Sequence, residues 1–70
     1  MNKEDKQWLI EVFPIFVGRT LRGETLDAYL RAEMLIDGTD TRRKITCNCQ
    51  LRDVARVIND KFGKWRKENT

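Results

Sequence analysis

Residues 51–65 read LRDVARVINDKFGKW. Leu51, Val54 or Ala55, Ile58, Phe62 and Trp65 fall at three- and four-residue steps across four turns, which predicts an amphipathic helix. Arg56, Asp60 and Lys64 stand four apart on its polar side. Gly63 is a weak point, costing about 1 kcal/mol relative to Ala in a helix interior. Asn48 or Cys49 is placed to cap the start. A helix with one apolar stripe must bury it against other elements, so the fold depends on what precedes residue 51.

Near the other end, Trp8, Leu9, Val12, Phe13, Phe16 and Val17 recur at helical steps, and Ile10 and Ile15 widen the apolar surface nearly all round. Pro14 has no N–H and crowds the preceding turn, so this helix kinks there or ends near Val12 and restarts with Pro14 in its first turn. A broken helix is expected over residues 4–22, with Gly18 and Gly23 bracketing its end. A second helix is expected from about 26 to 36, with Thr25 as N-cap, Asp27 near the positive end of the helix dipole, and Gly38 just past the end. Its stripe is Leu26, Tyr29, Leu30, Met34 and Leu35, and Asp27 can pair with Arg31 four residues on. Residues 37–47 carry turn chemistry and then the basic run Arg42-Arg43-Lys44. The predicted architecture is all-α: one three-helix domain over residues 1–70, with a Pro-broken first helix and a long loop before the last.

The chain has 70 residues and a mass of 8.3 kDa, 40% apolar and 36% charged. That leaves room for one small domain. A domain this short removes only about 60% of its unfolded surface from water, and single cores of this size rarely supply more than roughly 3–5 kcal/mol. A staple or a partner is therefore expected. Two Cys one residue apart and no His are poor material for a structural metal or a disulfide framework.

Cys47-Asn48-Cys49 nevertheless invites a chemical reading. In an extended segment both sulfurs point the same way. Zinc requires four ligands, so a site on Cys47 and Cys49 would need a second chain, thiolates of another protein, or carboxylates such as Asp40 from the loop to complete it. A disulfide between them would close a tight ring, since Cα atoms two apart in extended chain lie close to ~7 Å, beyond the usual 5.5–6 Å. The simplest expectation is a small apolar residue packed at the start of the last helix, with no cofactor. A catalytic Cys lacks a His base, and Gly18-x4-Gly23 lacks the Lys-Ser/Thr of a phosphate loop, with Glu24 in its place. A non-enzymatic role is expected.

Net charge is +3, yet residues 1–41 carry 5 basic and 8 acidic side chains while residues 42–70 carry 9 and 3. Arg42, Arg43, Lys44, Arg52, Arg56, Lys64, Arg66 and Lys67 make the basic end a contact surface for an acidic protein or, alternatively, for nucleic acid. On the last helix Arg52 and Arg56 line one edge and the others spread around it. A helix-turn-helix is excluded, because that motif joins its helices by three or four residues and about a dozen separate Ile36 from Cys49.

Two short helices cannot cover the wide first segment, and surplus apolar surface in a small chain marks an interface. Trp8, Val12, Phe13, Phe16 and Trp65 are the expected core or interface anchors. The leading expectation is a protein-binding or assembly module that docks on a larger protein or self-associates as an oligomer, with Arg42, Arg43 and Lys44 orienting the complex. No apolar run is long enough for a membrane span of about 20 residues, and no signal-peptide pattern is present, so a cytoplasmic setting is expected. In style alone, such His-free, charge-rich helical chains resemble accessory proteins of bacteriophages and mobile elements. That resemblance implies a host-cytoplasm or virion setting.

Overall fold

The computed structural model describes residues 1–69, and of Asn48 the backbone alone. Its elements are α1 (Lys3–Glu11), α2 (Phe13–Phe16), α3 (Glu24–Asp37), a 3-10 turn (Asn48–Gln50) and α4 (Leu51–Asn69). The expected all-α architecture with a broken first helix is present, and no strand occurs among the described residues.

Asn2 caps α1, its Oδ1 accepting from Asp5 N–H at 2.8 Å, with Glu4 and Asp5 in the first turn where negative charge suits the dipole. Pro14 then enforces the break. It cannot donate to the fourth carbonyl back, and it occupies the first turn of α2, where an N–H is dispensable. The helical run stops at Phe16 instead of continuing to residue 22. Val17 is extended and Gly18 has φ 89°, a left-handed conformation that glycine adopts without a Cβ penalty.

The second expected helix begins at Glu24, two residues early. Gly23, at φ 57°, turns the chain into it, and Thr25, expected as the cap, lies inside the first turn and is buried. At the other end Gly38 has φ 70°, and the Gly38 and Thr39 N–H groups both return to Met34 C=O, a left-handed termination.

The core lies where α3 and α4 pack on each other and on α2. Phe13, fully buried, is its centre. Its ring meets Tyr29 edge-on at 5.1 Å and Phe62 at 4.8 Å, geometries that aromatic quadrupoles favour. Trp65 stacks on Phe62 at 6.1 Å, and Leu9, Leu21, Val54 and Ile58 fill the remainder. On α3 the inward face includes Ala28 and Ala32, whose small side chains allow close approach, while Met34 is only half-buried. The Asp27–Arg31 pair does not form. Asp27 takes Arg42, while Arg31 lies 3.6 Å from Asp5 and 4.4 Å above the Trp8 ring.

Candidate functional site

The predicted anchors divide by burial. Phe13 and Trp65 are buried in the core; Trp8 and Phe16 pack partly buried against that core, and Val12 is half-buried. Surplus apolar surface does occur on the first segment, carried by other residues: Ile10, Ile15 and Val17 are exposed, Ile15 at 57%. The break at Pro14 turns Leu9 and Phe13 inward and leaves these out.

The basic run is also redistributed. Arg42 is ion-paired to Asp27, and Arg43 grips Glu33 with two hydrogen bonds, Nε to Oε1 at 2.9 Å and an Nη to Oε2 at 2.6 Å. Arg42 and Arg43 thus tie the long loop to α3 and, like Lys44, remain exposed. Lys61, from α4, bonds the same Glu33 carboxylate at 3.2 Å and Asp37 at 2.8 Å. The sequence reading passed over Glu33, which is 7% exposed. Hydrogen bonding from Arg43 holds its carboxyl below the ordinary range, against the upward push of burial, and Lys61 acts in the same direction. Reciprocally, Glu33 raises Arg43, while Asp37 and then Glu33 raise Lys61.

Arg52, Arg56, Lys64, Arg66 and Lys67 are exposed on the outer side of α4. Arg52 and Arg56 are one turn apart, and Lys67, three turns beyond Arg56, returns to the same side at 3.6 residues per turn. Asp53 and Asp60 interrupt the charge beside them.

Two adjoining hollows, of about 460 Å³ and 550 Å³, form a groove between the 18–23 segment and the start of α4, sharing Thr20, Leu21 and Leu51 as walls. Gly18 and Gly23, both left-handed, fold that segment so that Leu21 enters the core and Arg19 and Arg22 stay exposed on either side of it. The apolar lining is completed by Leu26 from α3, Ile45 from the loop and Ala55 from α4. Arg19, Arg22 and Arg52 supply the charge, and no carboxylate lines either hollow. Of these residues only Arg52 is among the contacts expected from the sequence. The others come from four segments, and no periodicity joins them.

Cys47 and Cys49 are not packed in the core. Both are exposed and joined to each other, with Cα atoms 5.3 Å apart. The segment turns into 3-10 helix rather than running extended, which draws the Cα atoms within bridging range. At this end the Cys47 Sγ accepts from Cys49 N–H at 3.4 Å and its C=O from Gln50 N–H at 3.1 Å, and the expected Asn48 cap lies outside the described side chains. Bonded to each other, the sulfurs are not thiolate ligands for zinc, and the described residues contain no group of three or more Cys, Asp or Glu able to hold a metal ion. Among the same residues no helix is long and apolar enough to cross a membrane. No family model matches the chain, and no curated protein or solved structure matches it either.

Proposed function

We propose that this chain is a non-enzymatic protein-binding module that receives a segment of a larger protein in the groove between residues 18–23 and the start of α4. One observation carries this reading: five aliphatic side chains line a groove whose charged groups are three arginines and no carboxylate. Apolar walls reward the burial of Leu- or Phe-like side chains, and an all-arginine rim favours a segment with Asp or Glu beside them. The partner is therefore a stretch in which large apolar and acidic residues alternate. Arg42 and Arg43 serve it indirectly, by holding the loop that carries Ile45.

Fluorescence anisotropy tests the proposal with a labelled 16-residue peptide of alternating Leu/Phe and Asp/Glu, set against an all-Glu peptide of equal charge and a random 20-base-pair duplex. The mixed peptide is expected to bind the full chain best, and Arg22→Glu with Arg52→Glu is expected to weaken it at least about tenfold, roughly 1.4 kcal/mol. Equal binding of the two peptides, tighter binding of the duplex at physiological salt, or indifference to the charge reversals would overturn it.

A further inference from the structure

We propose that Cys47–Cys49 is a thiol–disulfide exchange site that trades electrons with the dithiol of a partner protein. The bond joins residues two apart within one turn, so it fastens no element to any other. Disulfides stabilise folds mainly by closing long loops of the unfolded chain, an effect that is smallest here. The fold is held elsewhere, by the aromatic core around Phe13 and by the Glu33 carboxylate between Arg43 and Lys61. Both cysteines are exposed, which gives an attacking thiolate access to the bond.

Hydrogen bonding gives the reaction a direction. Cys49 N–H points at Cys47 Sγ, and a donor aimed at sulfur stabilises it as a thiolate. Cys47 is thus the better leaving group and Cys49 the sulfur attacked. A partner thiolate bonds to Cys49 Sγ, the Cys47–Cys49 bond breaks, and its electron pair leaves on Cys47 Sγ. The partner's second thiolate then attacks its own sulfur in this mixed disulfide, and Cys49 departs as a thiolate. The partner ends as a disulfide, this chain as a dithiol, and the two protons lost by the partner's thiols end on Cys47 and Cys49. Two electrons have moved, and the reverse sequence reoxidises the pair.

The test equilibrates the full chain with reduced and oxidised glutathione over a range of ratios, quenches with an alkylating reagent and counts labelled thiols by mass. The expected result is one transition from zero to two labels, with the urea unfolding midpoint the same on both sides. Each single-thiol variant, Cys47→Ser and Cys49→Ser, should form a glutathione adduct. The Cys49→Ser chain, which keeps the Cys47 thiol and the Cys49-position N–H, should be alkylated several-fold faster at pH 7 than Cys47→Ser. The proposal fails if the thiols never pair in oxidised glutathione, if the bond survives a large excess of reduced glutathione, or if its reduction lowers the unfolding midpoint. Equal alkylation rates of the two variants would overturn the assigned direction.

Discussion

Replacing Glu33 by Gln removes one negative charge at nearly constant volume from an ionic contact whose carboxylate is almost enclosed. The carboxylate accepts two bonds from Arg43 and one from Lys61, and its side chain is 9% exposed. A hydrogen bond to a charged group contributes about 1.5–3 kcal/mol. Arg43 and Lys61 are each about a third exposed, so water compensates part of the loss, and Lys61 keeps Asp37. Gln retains one acceptor but turns an NH2 donor toward guanidinium or ammonium donors. These effects set the expected loss at about 2 kcal/mol at pH 7, or roughly 8–16 °C in melting temperature for a domain of this size.

Urea unfolding followed by tryptophan fluorescence and circular dichroism measures the loss, and its pH dependence separates charge from packing. Glu33 has a lowered pKa in the folded state, so its contribution is complete above the unfolded carboxylate value of about 4.3 and disappears as pH falls through the lower folded value. The deficit of Glu33→Gln should therefore shrink in acid. Lys61, raised in the folded state, contributes below its unfolded value of about 10.4 and loses that contribution as pH rises through the folded one. A deficit under about 0.5 kcal/mol at neutral pH, or one unchanged at pH 2, refutes the assignment.

Gly63→Ala should raise stability by about 1 kcal/mol, read as a higher urea midpoint, because the helical backbone accepts a Cβ and nothing lies within 4 Å of it. Phe13→Ala should cost about 3–5 kcal/mol. Loss of the ring that touches Trp8, Tyr29 and Phe62 is enough to abolish the cooperative thermal transition of so small a core, and calorimetry without a transition peak is the expected outcome.

What could be read along the chain is what depends on neighbours in sequence. The stripe from Val54 to Trp65, the break at Pro14 and the left-handed Gly38 are local consequences of periodicity, a missing N–H and a missing Cβ. The charge pairs were not legible on those terms. A four-residue spacing offered Asp27 to Arg31, but Arg42, fifteen residues away, competes for the carboxylate, and the Trp8 ring competes for Arg31. Glu33 meets partners 10 and 28 residues distant. The groove has the same character, since Leu21, Leu26, Ile45 and Leu51 become neighbours only after two left-handed glycines and a long loop have folded. The cysteines, expected to pack at the start of the last helix, lie exposed where a 3-10 turn at Asn48–Gln50 draws them together, a pairing that the ~7 Å spacing of extended chain had argued against.

The shortage of core that the chain's length implies is met in part by a device outside the usual choice of metal, disulfide or partner. Arg43 and Lys61 converge on Glu33 and join the 39–47 loop, α3 and α4 through one carboxylate. An apolar cluster of similar volume would often match such a triad in stability. The loop carries two adjacent arginines, and in this register Arg43 meets Glu33 while Arg42 meets Asp27; a slip that set Arg42 on Glu33 would leave Thr41 opposite Asp27. Ile45 lies two residues beyond Arg43, so the register that satisfies Glu33 also sets one wall of the groove. Stability and the proposed docking surface therefore depend on the same contact.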